Sequence, residues 1–468
     1  MKNCYLAPIN LAYKYTSGLS DKNRNIMMYA SVAMMVLSCY YYQIDDYIVH
    51  ICPAIINAIF GMLMFGILLL SGIDRRVDRI EIKVIPVTLM VICGIIITIS
   101  GIHHFIGYSY VLMGIFMFLF MPYYIVIFGD DEHINRLFKC IAIVLTISFA
   151  IFFIIHSLVG PINKGEYYLA GRYMGMSFNP NGIAKTAVIG SISSLYLGIT
   201  LRNKLRYLSS IVFSMGISML WITQSRANVI AIALAVFFTV CICIRNLVYS
   251  SERMTLLKRA AIYLAIVAIL FPICKTTLEK TANRPIHASK TVSERHIDEN
   301  QSDEAKNIVE SENAEGEGSL SDRFKRGNTA DGNIDFQSLS SGRLYMWQRV
   351  IKEASILGHD MKTYKYHEYS WVTVEHAHNT VIEILARSGI FAGLSFLLLE
   401  VFCAGWVLKV TFSKKRKTDA EIFAVLGVTA FGIASLFDIV VLPFAKMTVL
   451  VFYISLALLF SKRKDTIS

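Results

Sequence analysis

Two histidines and an asparagine stand at the head of an apolar segment in "VEHAHNTVIEILARSG", residues 374–389. Asn379 has the short acceptor side chain typical of a helix N-cap, so the pattern predicts a helix that begins at Thr380. The positive end of that helix would face His378 and disfavour an imidazolium there. A neutral imidazole can accept a proton, which a general base for a hydroxyl nucleophile must do.

Two other interpretations of the histidine pair stay open on spacing alone. His376 and His378 could bind a metal ion, but residues two apart share a face only on an extended chain, and the adjoining sequence offers no cysteine or spaced histidine to complete a site. They could also only satisfy backbone groups at a helix entrance. We expect no metal and no cofactor. We interpret the i, i+4 pair Glu383 and Arg387 as structural first.

Three arginines, Arg172, Arg226 and Arg343, stand at the ends of apolar segments or in the connections between them. A guanidinium group is planar and permanently charged, which makes it a preferred clamp for phosphate oxygens. Three that converge would suit a diphosphate. Each could instead be a side chain that reaches the polar membrane interface, although Arg226 lies beside a span where a charge is costly.

The elements that must position these side chains are membrane helices. Hydrophobic residues make up 55% of the 468 and charged residues 17%, whereas roughly a quarter of a soluble chain is charged. Crossing a hydrocarbon core takes about 20 apolar residues, which predicts an all-α polytopic membrane protein with about twelve transmembrane helices. The predicted segments are 26–43, 52–71, 84–100, 108–128, 138–158, 183–201, 207–223, 227–244, 260–274, 389–411, 420–437 and 440–460.

Basic residues fall in every second connection between these segments, and basic connections stay cytoplasmic. Both termini are therefore predicted to be cytoplasmic. The net charge of +11 is then a topology signal with attraction to anionic lipids, and not a nucleic-acid footprint. The connections that contain "GRYMGMSFNPNG", "TQSRAN", "EHAHN" and Asp438 are all predicted to lie on the outer face.

The longest connection has two parts. Residues 285–340 are rich in Ser, Glu, Asp, Asn and Lys and cannot bury enough apolar area to order themselves. Residues 341–379 begin with "SGRLYMWQRVIKEASILGHD", where apolar residues recur at helical spacing as far as the stop signal Gly358. We expect an ordered, amphipathic helix there against the outer mouth. The predicted organisation is nine helices in 1–274, an extracytoplasmic loop over 275–379, and three helices in 380–468.

Four stretches together resemble the O-antigen ligase and polymerase superfamily of bacterial membrane glycosyltransferases. They are "RYMGMSFNPNGIA", "TQSRANVIAIALAV", "GRLYMWQRVIKEASILGHD" and "HAHNTVIEILARSGIFAGL", which stand in the family order over about residues 170–400. The His-Asn pair with a glycine nine residues beyond it is the most specific part. The resemblance implies a GT-C-like fold without a required metal, acting on undecaprenyl-diphosphate-linked glycans at the outer face.

Roles follow from the resemblance position by position. His378 resembles the catalytic histidine, and His376 stands beside it in the catalytic set. Arg226 and Arg343 resemble the arginines that hold the lipid diphosphate, and Arg172 stands where the family often has a further basic residue. The expected supporting residues are Asn379, Trp347 and Asn181.

The expected reaction is a single displacement. His378 takes a proton from an acceptor hydroxyl, the oxygen attacks the anomeric carbon, and the lipid diphosphate leaves beside the arginines. We favour a polymerase, which extends lipid-linked repeat units into a capsule, exopolysaccharide or O-antigen, because the outer loop shows no folded acceptor-docking domain. A ligase that transfers the glycan to a lipid core or another acceptor stays open.

Two further classes are less favoured. A transporter or flippase would show similar halves and ionisable residues near mid-membrane, and Glu400 is the main such candidate. A non-catalytic scaffold would leave the outer histidine and arginines dispensable. The expected location is the bacterial inner membrane with an extracytoplasmic active site. The expected partners are the lipid-linked donor, a glycan acceptor, membrane lipids, and a chain-length regulator or flippase.

Overall fold

The computed structural model describes the chain at 2–48, 54–75, 82–104, 108–127, 131–158, 168–169, 172–173, 180–282, 343–360, 364, 368–369, 372–373, 376–440 and 447–461. A helix covers most or all of each of the twelve apolar segments. An α-helix satisfies its backbone polar groups internally, as a hydrocarbon environment requires. The helices are Lys2–Thr16, Asp21–Ile48, Ala54–Ser71, Val84–His103, Tyr108–Ile115, Met121–Ile127, Asp131–Leu158, Pro180–Thr200, Leu205–Thr223, Arg226–Val248, Arg253–Ala282, Arg343–Lys352, Thr380–Ser388, Ile390–Phe412, Asp419–Ser435 and Met447–Phe460, with a π-helical turn at Phe116–Phe120.

Several of these helices are long and apolar enough to cross a membrane. In the described part of the chain seven meet that condition by length and composition, and three shorter apolar helices accompany them. The chain is therefore a helical polytopic membrane protein, whereas the count of twelve spans and the GT-C-like arrangement stay predictions. The seven are Val84–His103, His133–Leu158, Pro180–Thr200, Leu205–Thr223, Arg226–Val248, Arg253–Thr281 and Ile390–Phe412.

Two features were not predicted. An N-terminal helix, Lys2–Thr16, buries Ile9 against Ile73. Its end is fixed by Arg24, whose guanidinium group donates to the carbonyl oxygens of Thr16 and Ile73 at 2.5 and 2.7 Å. Strand structure among the described residues is limited to two short antiparallel pairs, Tyr168–Leu169 with Arg172–Tyr173 and Glu368–Tyr369 with Val372–Thr373.

The chain forms two compact units. The first has an aromatic core, in which the ring of Phe116 lies 4.7 Å from that of Phe65 and 5.7 Å from that of Tyr453, measured between centroids. Its helix Val84–His103 supports the candidate site, because the hydroxyl of Ser100 donates to the carbonyl oxygens of Leu357 and Arg387. This unit comprises Met1–Leu145, Ile230–Lys258 and Gly342–Ser468.

The second unit comprises Thr146–Val229 and Arg259–Ser341. Its helices Pro180–Thr200 and Leu205–Thr223 pack on one another through serines that donate to carbonyls one turn earlier, as Ser191 does to Ala187 at 2.8 Å. A serine hydroxyl finds a hydrogen-bond acceptor within its own helix in this way, and its small side chain lets helix backbones approach closely. Ser218 also donates to the carbonyl of Phe271 at 2.9 Å.

The amphipathic helix of the outer connection is shorter than predicted. It spans Arg343–Lys352 and is called the surface helix below; the chain leaves it at Glu353, well before the predicted stop at Gly358. The reason is long-range pairing, because Ser355 O accepts from Ile390 N at 2.9 Å and the N–H of His359 donates to Ala386 O at 2.9 Å. The predicted flexible segment, 285–340, lies outside the described residues.

Two glycines allow the turn after the surface helix to approach the end of helix Thr380–Ser388 closely. Gly358 and Gly389 have φ angles of +83° and +88°, a region that side chains with a Cβ rarely adopt. A Cβ on Gly358 would collide with the carbonyl group of Arg387, and one on Gly389 with that of Ile356. The turn after the surface helix therefore lies directly against the end of helix Thr380–Ser388.

Candidate functional site

The predicted N-cap is present. Asn379 has extended backbone angles and its Oδ1 accepts from the N–H of Ile382 at 3.0 Å. The helix that follows, Thr380–Ser388, is called the motif helix, and Gly389 is its C-cap. The predictions of the cap and of the start of this helix are confirmed. The residues 376–379 that precede it are called the histidine loop.

The histidine loop has an unusual backbone. His378 has φ +50°, which is rare for a residue other than glycine and costs on the order of 1 kcal/mol or more. The rings of His376 and His378 meet edge to face with centroids 4.1 Å apart. His378 keeps 26% of its side chain exposed. A substrate could therefore reach this imidazole, although the loop around it is packed.

A buried carboxylate, that of Asp438, lies close to the imidazole of His378. Asp438 Oδ1 lies 3.8 Å from His378 Nδ1, and Asp438 is 7% exposed. The N–H of Ile439 donates to the same oxygen at 2.8 Å, which fixes the carboxylate. At 3.8 Å the pair is an electrostatic contact rather than a hydrogen bond. With Nδ1 directed at Asp438, Nε2 is the nitrogen left to take a proton from a substrate.

The histidine loop and the segment that ends in Asp438 are tied together. Asn379 Nδ2 donates to Leu436 O at 2.9 Å, and Thr380 Oγ1 donates to Asp438 O at 3.1 Å. Arg343 adds a third tie, because its guanidinium group donates to Phe437 O at 2.6 Å. Two predicted outer connections therefore meet at one place in the first unit.

The surface helix also contacts the histidine loop. Trp347 Nε1 donates to Ala377 O at 2.7 Å, and Met346 and Val350 pack in a cluster with Ala377 and Ala386. Of the predicted site residues, the structure thus brings together five in the first unit. They are His376, His378, Asn379, Arg343 and Trp347.

Arg226 and Asn181 belong to the second unit. The helix Leu205–Thr223 ends with Gln224 in the left-handed region at φ +50°, and the next helix begins at Arg226. Residues 224–226 are called the arginine turn. Ser225 donates to Asn181 Oδ1 at 3.0 Å, so the motifs that contain "NPN" and "TQSR" are in contact. Asn228 Nδ2 in turn donates to Ser225 Oγ at 2.9 Å.

Arg172 lies in the short strand Arg172–Tyr173 of the second unit. Leu169 is its partner in the pairing with Tyr168–Leu169. The neighbouring Tyr173 is fully buried. The phosphate role of Arg172 stays a prediction.

A metal-binding group can be drawn around the same histidines. Ligand atoms of His376, His378 and Asp438 all lie within 4.8 Å of one another. The residues next to the histidines in sequence offer no third ligand, and Asp438 supplies one from a distant part of the chain. Ligands about 2.0–2.1 Å from one zinc ion stand about 3.3 Å apart, so these side chains would have to close in. The positive end of the motif helix also opposes a cation there.

Sequence reasoning missed the two carboxylates that surround the histidine loop. The sequence predicts Asp438 on the outer face without indicating a role, and the spacing of Glu383 and Arg387 indicates only a structural pair. Neither has a local signal for its contact, because Asp438 is distant in sequence and an i, i+4 pair looks the same whether buried or exposed. The sequence signal that could indicate burial of Glu383 is its position within the otherwise apolar stretch "TVIEILA".

The fold and the site define the class of protein, which is a membrane-embedded helical protein with a histidine loop and a buried carboxylate beside it. Residues 210–397 match the family model described as O-Antigen ligase. The match confirms the predicted resemblance to the O-antigen ligase and polymerase superfamily over these residues. Searches of curated proteins and of solved structures found no significant match.

Proposed function

We propose that the chain polymerises undecaprenyl-diphosphate-linked repeat units by inverting glycosyl transfer at the outer face of a bacterial inner membrane. The observation that carries the proposal is the contact of His378 Nδ1 with the buried carboxylate of Asp438 at 3.8 Å. A histidine oriented by a carboxylate is a general arrangement for taking a proton from a hydroxyl group. The family match to 210–397 supports a glycan as the substrate.

The proposed step conserves atoms and charge. The acceptor hydroxyl gives its proton to His378 Nε2 as its oxygen bonds to the anomeric carbon of the donor glycan. The bond from that carbon to the phosphate oxygen breaks, and undecaprenyl diphosphate leaves. Asp438 offsets the charge of the imidazolium. Because the oxygen enters opposite the leaving group, the configuration at the anomeric carbon inverts.

The arginines are proposed to bind the diphosphate. Guanidinium groups offset the charge that grows on the leaving group and need no proton transfer of their own. Arg343 is anchored beside the site through Phe437 O. Arg226 keeps the role that the family resemblance implies, and Arg172 is a third candidate.

A ligase is the second candidate, favoured by the description of the matching family model. Polymerase and ligase differ in their acceptor, which is another lipid-linked repeat in the first case and a lipid core or other acceptor in the second. A chain-length regulator or flippase is a proposed partner in either case.

The test is electrophoresis of surface polysaccharide from a deletion strain that carries the wild type or His378→Ala. We expect His378→Ala to behave like the deletion. A polymerase then leaves single repeats attached to the surface acceptor, and a ligase leaves none. The exposed His103 at the end of helix Val84–His103 provides the control variant, His103→Ala, which should make full-length polymer. Full-length polymer from His378→Ala overturns the proposal and would fit a transporter or scaffold.

A further inference from the structure

Glu383 is a completely buried carboxylate one turn into the motif helix. It forms an ion pair with the Nε of Arg387, and its Oε1 also accepts from the hydroxyl of Tyr110 at 3.1 Å. The Arg387 guanidinium carbon stands 4.9 Å from the centroid of the Tyr110 ring. An ionised carboxylate can be buried only when it is paired and hydrogen-bonded, and these contacts meet that need.

The second carboxylate oxygen of Glu383 accepts a hydrogen bond from outside the motif helix, which an i, i+4 ion pair does not require. Oε2 accepts from the N–H of Ala377 at 2.8 Å, and Ala377 is the residue between the two histidines. The surface helix carries a pair of the same spacing, Arg349 and Glu353, with atoms 3.0 Å apart and side chains 38% and 41% exposed. Their hydrogen bond raises the pKa of Arg349. An i, i+4 pair in this protein can thus form without burial and without contacting the histidine loop.

Both backbone polar groups of Ala377 are therefore bound by side chains. The N–H donates to Glu383, and the carbonyl accepts from Trp347 Nε1 at 2.7 Å. Ala377 itself is fully buried. His378 follows directly, with the positive φ that persists only where surrounding contacts determine it.

We propose that Glu383 is a positioning residue for His378. Its carboxylate, held by Arg387 and Tyr110, fixes the backbone at Ala377 so that the imidazole of His378 faces Asp438. This inference rests on the proposed function of His378 as the base, and it adds a second buried carboxylate that acts through the backbone rather than on the substrate.

The test uses the purified full chain with lipid-linked repeat units extracted from the deletion strain. Glu383→Gln keeps the shape but loses the charge and one acceptor. We expect kcat to fall about 100-fold, because a small misplacement of a catalytic group can cost that much, while KM for the lipid-linked units changes little. Amide hydrogen exchange in residues 376–379 should rise. The matched control, Glu353→Gln, should leave kcat and exchange in the histidine loop unchanged.

Tyr110→Phe is the second variant, in case Glu383→Gln does not accumulate. It keeps the carboxylate and removes one donor, and we expect a smaller fall in kcat with a smaller rise in exchange at 376–379. Wild-type kcat and exchange in Glu383→Gln, or in Tyr110→Phe if only that variant accumulates, overturn the inference. So does a loss confined to melting temperature and KM, which would indicate a structural role.

The two proposals fail in different ways. If His378→Ala still makes full-length polymer, the proposed function is wrong, and exchange at 376–379 alone decides whether Glu383 holds the loop. If His378→Ala is inactive while Glu383→Gln keeps full kcat, the proposed function stands and only the positioning role of Glu383 is lost.

Discussion

The histidine loop and the arginine turn solve the same backbone problem in different ways. Each places a residue with φ +50° shortly before a helix, and these two, His378 and Gln224, are the non-glycine residues with positive φ in the described part of the chain. In the arginine turn the residue with positive φ, Gln224, ends one helix, and Arg226 begins the next. In the histidine loop the unusual residue is itself the candidate base.

The two regions also differ in what holds them. The histidine loop is bound by Trp347 from the surface helix, by Glu383 from the motif helix and by the segment that ends in Asp438. In the arginine turn, Asn181 and Asn228 both bind the hydroxyl of Ser225. Changes around the histidine loop should therefore act on catalysis, and changes around the arginine turn on phosphate binding and stability.

The largest effect is expected from Asp438→Asn. The amide keeps the size of the side chain but removes the charge that would stabilise an imidazolium at His378. We expect kcat for glycosyl transfer to fall about 1,000-fold, within the range of general acid–base contributions. Initial rates with extracted lipid-linked units measure it.

Asp360→Asn is the control for that experiment. Asp360 lies on the turn after the surface helix in the same unit, where its charge acts on His104. We expect its rate to stay within about twofold of the wild type. An Asp438→Asn rate equal to that of the control would show that the carboxylate does not assist His378.

Arg226→Lys should have a smaller effect than Asp438→Asn. Lysine keeps the charge but cannot form the two parallel hydrogen bonds of a guanidinium group with a phosphate. We expect kcat/KM to fall roughly tenfold, which corresponds to about 1.4 kcal/mol. Arg349→Lys on the surface helix is the control and should change little. An unchanged kcat/KM in Arg226→Lys would show that the guanidinium group of Arg226 does not bind the diphosphate.

Local features of both regions were predictable from the sequence, and their contacts were not. Asn379 as an N-cap and the helix start beside Arg226 follow from side-chain chemistry and hydrophobic pattern, which act over a few residues. The early end of the surface helix depends on pairing of Ser355 with Ile390, which no local pattern reports. The same holds for Asp438 beside His378. Long-range pairing decides the geometry that the chemistry needs.

Two substitutions of similar size should compare the stability of the regions. Asn379→Ala removes the N-cap of the motif helix and should cost about 1 kcal/mol. Ser225→Ala removes the hydroxyl that joins Asn181 to Asn228 and should cost about 1 kcal/mol or slightly more, because the buried Asn228 loses a hydrogen bond. In a chain of this length each should lower the apparent melting temperature by about 1–2 °C.

Activity should separate these two variants. Asn379→Ala should also slow transfer, since Asn379 binds Leu436 O beside Asp438. Ser225→Ala should leave kcat near the wild-type value and act through stability and donor binding. If both variants slowed kcat equally, the distinction drawn between the two regions would be wrong.

The smallest effect is expected from removing divalent ions. His376, His378 and Asp438 lie close enough to be drawn as a ligand set, but an ion there would occupy a lone pair that a proton acceptor needs and would face the positive end of the motif helix. We expect the transfer rate of EDTA-dialysed protein to stay within about twofold of the untreated rate, because each proposed step uses side chains alone. A rate that disappears on dialysis and returns with Zn²⁺ or Mn²⁺ would make the histidine loop a metal site. The single-displacement mechanism would then need an ion-bound hydroxyl group in place of an imidazole base.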